Sequence, residues 1–250
     1  MKIIFIVIII LLYNLFEISV FKINKVKLKS KKLDRGYRFV QISDFHNNIF
    51  INLNKLINDI RKFNPDAVFL TGDIISRNTE DFKNVKKLLS GLKNYNVYYV
   101  QGNHELDNKN ESQFNNILNE YGVINLSSKE MNFGNSIKLY GNPFGTMYKI
   151  NFNLSESFYN ILLTHDPKEF TNYGGNYDLV LSGHNHGGQV RMPFVGQLID
   201  HSGDIFPKYS KGLYKVNNTD FYMDSGLGQS VHFRLLNRVQ ITEFTIEKLN

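Results

Sequence analysis

The chain has 250 residues, of which 42% are hydrophobic, and a formal net charge of +6. This length allows one large domain or two small ones, and the absence of Cys excludes disulfides, thiolate metal sites and a Cys nucleophile. The first 38 residues hold nine Lys and Arg residues against two acids, which leaves 20 basic and 21 acidic residues in the rest. The near-neutral remainder argues against nucleic acid as a partner, because nucleic acid requires cations on the binding face.

Residues 3–21 form a largely apolar run that Asn14 and Glu17 interrupt. As a helix, the run would span roughly 28 Å, close to the thickness of a bilayer core. No small-residue cleavage site follows, so residues 1–21 are predicted to be an uncleaved single-pass membrane anchor, with a removed signal peptide as the alternative. A buried core helix is disfavoured because the run is apolar on all faces.

Residues 22–37 are basic and alternate in period two, with Val26 and Leu28 between lysines. The positive-inside rule would place the domain that follows in the cytoplasm. The alternation instead predicts a half-exposed strand, whose lysines belong to the fold. We therefore interpret 22–37 as a basic juxtamembrane strand and favour the extracytoplasmic face of the cell membrane for the domain in residues 38–250.

From residue 37 onward, strands alternate with helices. Strands are predicted over 37–43, 67–70 and 96–100, and helices over 52–64, 79–92 and 110–122, with Thr79 as a candidate N-cap. Strands separated by helices of this length indicate right-handed βαβ units and a mostly parallel sheet.

The second half is rich in strands, with one helix predicted before Ile161. These strands are expected to form a second sheet packed on the first within one domain. The predicted fold class is α/β, a two-sheet β-sandwich flanked by helices, preceded by the transmembrane helix. The predicted strands cover 136–141, 160–165, 177–183, 189–193, 212–216, 221–226 and 239–246.

Polar side chains follow five of the predicted strands at the point where each strand ends. In open α/β sheets, the loops at the carboxyl ends of strands converge on one crevice. Each residue alone has an ordinary structural explanation, such as capping a turn, but five loops with the same placement favour one shared site. The residues are Asp44 and His46; Asp73; Asn103, His104 and Glu105; His165 and Asp166; and His184 and His186.

These residue types indicate a metal site. Carboxylate, imidazole and amide oxygen without thiolate suit Mn²⁺, Fe or Zn²⁺. The seven candidate ligands among them, Asp44, His46, Asp73, Asn103, His165, His184 and His186, are too many for one ion, whereas two ions about 3.5–4 Å apart that share a carboxylate account for the number. Such a pair binds a phosphoryl oxygen and lowers the pKa of a bridging water, which predicts hydrolytic attack at phosphorus.

The ordered motifs D-x-H, G-D, G-N-H-E, H and G-H-x-H resemble those of the calcineurin-like metallophosphoesterases, from about residue 38 to the C-terminus. The stretches "GHNHGGQVRMP" and "SGLGQSVHFRLLN" are similar to a branch of bacterial metallophosphoesterases that carries an N-terminal membrane segment. The resemblance implies two divalent ions, one held by Asp44, His46 and His186, the other by Asn103, His165 and His184, with Asp73 as the bridge.

The histidine of the G-N-H motif is not a ligand in this family, so the resemblance implies that His104 is the general acid that protonates the leaving oxygen. Related enzymes often carry an Asp three residues after the bridging carboxylate to orient this histidine, and here that position is Ser76. Glu105 is either a supporting residue or a surface acid. Arg77 and Arg191 are candidates for binding the substrate phosphate bidentately.

The predicted function is metal-dependent hydrolysis of a phosphoester, more narrowly of a phosphodiester. The N-terminus suggests a lipid or cell-wall-linked ester as substrate, and the sequence indicates no obligate protein partner. The alternative is a non-catalytic, metal-stabilised, membrane-anchored binding protein, for which Ser76 is the one hint. A nuclease is disfavoured by the near-neutral charge. His201 and His232 fall outside the motifs and are expected at the surface.

Overall fold

The computed structural model of the chain describes residues 2–146, 150, 152–188, 190–192, 194–197, 207–229 and 233–249. Two six-stranded sheets pack face to face around a core of aromatic and aliphatic side chains. Helices cover the outer faces, so the fold has four layers in the order α/β/β/α. The predicted two-sheet fold is confirmed. His201 and His232 lie outside the described residues.

The first sheet is mostly parallel, as predicted for the βαβ units. In spatial order it consists of β1 (Lys22–Ser30), β14 (Gln240–Lys248), β2 (Tyr37–Ile42), β3 (Ala67–Thr71), β4 (Asn96–Val100) and β5 (Ile124–Asn125). Only the β14–β2 pairing is antiparallel. The helices of this half are α2 (Leu53–Phe63), α3 (Lys83–Leu92), α4 (Asn103–Leu106) and α5 (Glu111–Glu120).

The second sheet has parallel strands in its centre and an antiparallel strand at each edge. A separate two-stranded hairpin consists of β10 (Arg191–Met192) and β11 (Gly196–Gln197). In spatial order the sheet consists of β12 (Gly212–Val216), β13 (Thr219–Met223), β9 (Leu179–Ser182), β8 (Tyr159–Thr164), β7 (Ile137–Asn142) and β6 (Lys129–Phe133).

Three predictions about individual elements are wrong. The described residues between β7 and β8 contain no helix; the helix α6 (Pro167–Tyr173) instead follows β8, where Asp166 accepts a hydrogen bond from the Lys168 backbone N–H and Pro167 occupies the first turn. The strand predicted over 239–246 is β14, which joins the first sheet. The helix α3 starts at Lys83, because the Thr79 hydroxyl instead accepts from the Ser76 backbone N–H in the preceding turn.

The basic segment after the N-terminal run belongs to the first sheet. β1 pairs along its length with β14, and Val26 and Leu28 point into the core between the sheets. Lys25 and Lys29 lie opposite Glu243 and Glu247, at Nζ–Oε2 distances of 3.7 and 3.5 Å. The alternation of lysine with apolar residues is therefore a property of an edge strand, and the sheet begins before residue 38.

The N-terminal run forms the helix α1 (Lys2–Ser19). It is exposed from Ile4, at 65% exposure, to Leu12, at 62%, whereas Glu17 and Ile18 in its last turn are buried. Within the described residues, no helix is both long enough and apolar enough to span a bilayer. The predicted transmembrane helix is thus not confirmed.

Candidate metal centre

The loops that follow β2, β3, β4, β8 and β9 meet at one edge of the two sheets. They bring together the side chains that the strand-end pattern singled out, except Asp166, which caps α6; most of these side chains are buried, and Asn103 and His184 are half-buried. Three overlapping groups have ligand atoms within 4.8 Å of one another: Asp44, His46 and His186; His46, Asp73 and His104; and Asp73, His165 and His184.

Five of these residues have a left-handed backbone, which is uncommon outside glycine. The φ angles are 48° at Asp44, 50° at His46, 53° at Asp73, 70° at His184 and 48° at His186. Buried main-chain hydrogen bonds hold the first two, from Asp44 to the Gly72 carbonyl and from His46 to the Asp73 carbonyl, each 3.0 Å. Such strain persists only where surrounding structure enforces it, and it concentrates at functional sites.

We use the term first cluster for Asp44, His46 and His186. The His186 Nε2 atom lies 3.3 Å from His46 Nε2 and 3.6 Å from Asp44 Oδ1. The three ligand atoms therefore face one point.

The second cluster comprises Asn103, His165 and His184. Asn103 Oδ1 lies 3.1 Å from both His165 Nε2 and His184 Nδ1, and these two nitrogens are themselves 3.1 Å apart. Asp73 stands between the clusters, because its Oδ2 is 3.2 Å from His165 Nε2 and 3.8 Å from His46 Nε2. The two histidines of "GHNH" thus belong to different clusters, in the division that the family resemblance implies.

The donor set and its spacing fit divalent cations. Bonds of about 2.0–2.2 Å to one ion separate neighbouring ligand atoms by roughly 3 Å, which is the separation found between the ring nitrogens of His165 and His184. Nitrogen and oxygen donors without sulfur are the ligands of Mn²⁺, Fe and Zn²⁺. Each cluster is therefore able to hold a metal ion.

The far nitrogens of two candidate ligands have partners that suit metal binding. His165 Nδ1 lies 2.9 Å from the Thr71 carbonyl, which accepts its proton and leaves Nε2 free to face Asp73. His46 Nδ1 lies 3.2 Å from Ser76 Oγ. The hydroxyl at the position where related enzymes often carry an orienting Asp therefore contacts His46.

Glu105 is a buried supporting residue rather than a surface acid. Its carboxylate accepts from the backbone N–H groups of Asp73 at 2.9 Å, Gly102 at 2.8 Å and Ile75 at 3.0 Å. Burial, with the nearby Asp73 charge, raises its pKa to about 7. Glu105 therefore ties the loop that carries Asp73 to the loop that carries Asn103 and His104.

Burial and neighbouring charges shift the pKa values of the ionisable groups in the site. Burial raises the pKa of Asp44 to about 7 and lowers that of His46 to about 3. Desolvation opposes ionisation of Asp73, but the contact with His165 outweighs it and holds the pKa of Asp73 below its usual range. Desolvation likewise opposes protonation of His165, but Asp73 raises its pKa to about 10. A bound cation would displace that proton, since a histidine ligand must be neutral.

His104 lies beside the first cluster, with its ring 4.5 Å from that of His46, centroid to centroid. The Arg77 backbone N–H donates to His104 Nδ1 at 3.3 Å, so the neutral ring carries its proton on Nε2. That Nε2 atom is 3.9 Å from Asp73 Oδ2. Burial lowers the pKa of His104. A main-chain donor, rather than a carboxylate, thus fixes the orientation of His104.

The two candidate phosphate-binding arginines have protein partners. The exposed Arg77 side chain donates from Nε to Asp107 Oδ2 at 2.7 Å. Arg191 donates to the Gly187 carbonyl at 2.7 Å and to Ser210 Oγ at 3.2 Å, and it lines a cavity of about 650 Å³ beside the β10–β11 hairpin. Arg191 therefore lies near the loop that carries both histidines, whereas Arg77 contacts the site through its backbone.

Sequence reasoning missed several residues that support the clusters, both next to a ligand and far from it in the chain. Ser43 donates to Asp44 Oδ2 at 2.5 Å, and a Cβ at Gly183 would collide with both of these side chains. Arg234 and Asn237 contact His186 from the C-terminal segment. Arg234 and Asn237 belong to the stretch "SGLGQSVHFRLLN", but the sequence of this stretch does not indicate which of its side chains point into the site.

The two-sheet fold and the Asp and His clusters at its strand ends define a metal-dependent phosphoesterase. The model of the calcineurin-like phosphoesterase family matches residues 37–188. The chain therefore belongs to this family and is a hydrolase that acts on ester bonds.

Proteins of similar sequence are found in several bacteria. The chain is 29% identical over 245 residues to the metallophosphoesterase YkuE of Bacillus subtilis, which covers 86% of this chain and 80% of that protein. It is 30% identical over 224 residues to the metallophosphoesterase Cj0846 of Campylobacter jejuni, covering 83% of this chain and 58% of that protein. A "Probable cyclic nucleotide phosphodiesterase" of Ruthia magnifica is 29% identical over 148 residues, covering 53% of this chain and 62% of that protein. The chain thus spans little more than half the length of the last two.

Proposed function

We propose that the protein hydrolyses phosphodiesters at a pair of divalent ions. The observation that carries this proposal is the position of Asp73, whose Oδ2 lies between the His46 and His165 ring nitrogens of two separate clusters. A carboxylate so placed suits a bridge between two ions about 3.5–4 Å apart.

The first cluster would hold one ion, the second cluster the other, and Asp73 would contact both. When bound, the ions supply Lewis acidity that polarises a phosphoryl oxygen and makes water nucleophilic at neutral pH. The protein's own contribution is to preorganise the metal ligands, since hydrogen bonds to the Glu105 carboxylate and the Thr71 carbonyl, and the contact of His46 with the Ser76 hydroxyl, fix them before substrate arrives.

His104 is the proposed general acid. Its Nδ1 accepts from the Arg77 backbone, so its Nε2–H is the group available to the leaving oxygen. Burial and the Arg77 N–H both disfavour the imidazolium, so the neutral ring would donate a hydrogen bond to negative charge that develops on that oxygen, and water would supply the proton that the oxygen finally takes. The name of the Ruthia magnifica relative supports a diester rather than a monoester as substrate.

The test is turnover by the metal-free full chain after addition of Mn²⁺, Fe²⁺ or Zn²⁺. We expect hydrolysis of bis(p-nitrophenyl) phosphate with at least one metal, faster than that of p-nitrophenyl phosphate, and its loss in His165→Ala. Absence of turnover with all three metals on both esters would contradict the hydrolytic proposal. A preference for the monoester would contradict the assignment as a diesterase. The full chain is required because residues 22–30 belong to the first sheet.

We also propose that α1 anchors the protein to a membrane and that the substrate is a phosphodiester carried by a lipid or by the cell wall. The support is the row of exposed apolar side chains from Ile4 to Leu12, a larger patch than soluble proteins usually present to water. The favoured location is the extracytoplasmic face, since the lysines of β1 pair with β14 and so give no information on topology.

Flotation with lipid vesicles tests the anchor. We expect the full chain to float and the triple variant Ile6→Ser, Ile9→Ser and Leu12→Ser to remain at the bottom, while Ser19→Ala floats like the unmodified chain. The triple variant should keep its activity on soluble esters and lose it on vesicle-borne diesters; equal activity on both would contradict a lipid-borne substrate. Digestion of the domain by protease added to intact cells is expected for the extracytoplasmic face.

A further inference from the structure

Arg234 is a buried arginine whose guanidinium is surrounded by main-chain carbonyls. It is fully inaccessible to solvent and donates to the carbonyls of Ser225 at 2.7 Å, Gly228 at 2.6 Å and Asn237 at 3.1 Å. Burying a cation is costly unless its donors are satisfied, and these bonds engage both Nη groups, while Nε has no hydrogen-bond partner in the described part of the chain. A planar fork that reaches several carbonyls at once is a role that lysine cannot reproduce.

The same guanidinium supports two members of the first cluster. Its Nη1 lies 3.4 Å from the His186 carbonyl and its Nη2 lies 3.4 Å from His186 Nδ1. Asn237 also donates to the His186 carbonyl, at 2.6 Å. The Gly228 backbone, whose carbonyl Arg234 holds, donates its N–H to the Asp44 carbonyl at 2.7 Å. Arg234 therefore contacts His186 directly and Asp44 through the Gly228 backbone.

The segment that carries Arg234 and Asn237 is in turn held by the last turns of α1. The Arg234 backbone N–H donates to Asn14 Oδ1 at 2.8 Å. The Asn237 backbone N–H donates to Glu17 Oε2 at 2.6 Å, and the Val239 N–H donates to the Glu17 carbonyl at 3.0 Å. Glu17 is buried in this contact, with 5% exposure. A continuous set of hydrogen bonds thus runs from the N-terminal helix to a candidate metal ligand.

We propose that Arg234 and Glu17 are positioning residues for the first cluster, and that the packing of α1 against residues 234–239 sets the metal affinity of that cluster but not of the second. The inference rests on the ligand assignment in the proposed function. It makes the N-terminal helix part of the support of the metal centre, in addition to its proposed role in anchoring.

The test is a titration of the metal-free full chain with Mn²⁺, in which free Mn²⁺ is measured by electron paramagnetic resonance. The variants His186→Ala and His165→Ala first identify which of two dissociation constants belongs to which cluster. We expect Glu17→Ala and Arg234→Met to weaken the His186 site by about 10- to 100-fold, the range for residues that orient metal ligands. The His165 site is expected to change by less than about threefold, as befits its support by a β3 carbonyl.

Matched controls separate positioning from loss of structure. Glu17→Gln keeps an oxygen that accepts from Asn237, and Ser19→Ala changes a half-buried residue of α1 whose hydroxyl donates to the Leu15 carbonyl, so both should bind Mn²⁺ like the unmodified chain. Arg234→Lys keeps the charge and should restore only part of the affinity lost in Arg234→Met. If the Arg234 variants do not fold, Glu17→Ala tests the inference alone, because Glu17 lies at the α1 end of the set of hydrogen bonds that leads to His186.

Unchanged affinity in Glu17→Ala, or an equal loss at both sites, would overturn the inference. If His186→Ala itself leaves both constants unchanged, the ligand assignment is wrong and the inference falls with it. Weakening in His186→Ala without weakening in Glu17→Ala would overturn the inference alone.

Discussion

The first and second clusters differ in what holds their histidines. In the second cluster, His165 donates to the main-chain carbonyl of Thr71, at the end of β3. In the first, His46 faces the Ser76 hydroxyl and His186 faces the Arg234 guanidinium, both supplied by loops. His165 of the second cluster is thus held by the sheet itself, whereas both histidines of the first cluster face side chains from other segments. Substitutions of side chains should therefore affect the first cluster more readily.

A substitution of Asp73 should affect metal binding at both clusters alike, because its carboxylate faces both. We expect Asp73→Ala to remove both ions and to lower kcat/KM beyond about 10⁴-fold, since the ions supply several kcal/mol of transition-state stabilisation. Metal analysis and steady-state kinetics measure this. Asp166→Asn, a neighbouring acid whose amide can still cap α6, is the control. Retention of either ion at full occupancy in Asp73→Ala would contradict the bridging role.

A substitution of His104 should slow hydrolysis without weakening metal binding. We expect His104→Asn to lower kcat by about 10²- to 10⁴-fold, the range for a lost general acid, while both ions remain bound. The measurement is kcat together with metal content. Because His104 also lies within ligand distance of His46 and Asp73, loss of an ion in this variant would instead make it a ligand.

Ser76 should show the sensitivity of the first cluster to a single side chain. We expect Ser76→Ala to weaken the ion at the first cluster by about tenfold and to leave the second unaffected, because the hydroxyl that fixes the His46 ring is lost. Mn²⁺ titration monitors both constants. Ser90→Ala on the exposed side of α3 is the matched control. Equal effects on the two clusters would remove the distinction between them.

Lys211 should report on the support of the first cluster through stability. Its Nζ donates to Asn237 Oδ1, and burial, with nearby cations, lowers its pKa to about 6. The unfolded chain, with lysine near 10.5, binds one more proton above pH 6, so the free energy of unfolding rises with pH there by at most about 1.4 kcal/mol per unit. Urea unfolding at several pH values between 6.5 and 8.5 measures this dependence. In metal-free Lys211→Met, the free energy of unfolding should rise less steeply with pH than in the unmodified chain. An unchanged slope would contradict a neutral Lys211.

The contrast between the clusters also explains what the sequence could predict. The strands β2, β3 and β4 have near-continuous apolar runs that end in Asp44, Asp73 and Asn103. Both periodicity and parallel topology were readable there, so the convergence of these residues was predictable.

Contacts between residues far apart in the sequence could not be predicted from local patterns. β14 has the alternation of a strand for either sheet, and only its pairing with β1 and β2 assigns it to the first. Ser76 occupies the position expected of a partner for His104, but the left-handed backbone at His46 turns that ring toward it. Glu17 interrupts an apolar run, and nothing local indicates that it accepts from Asn237, 220 residues away.

The most direct test of the account is the electron paramagnetic resonance spectrum of the full chain loaded with Mn²⁺. Two clusters bridged by Asp73 predict two ions per chain, about 3.5–4 Å apart and therefore magnetically coupled. That coupling should disappear in His186→Ala, which would leave a single-ion signal. One ion per chain in the unmodified protein, or two ions with uncoupled spectra, would contradict a dinuclear centre.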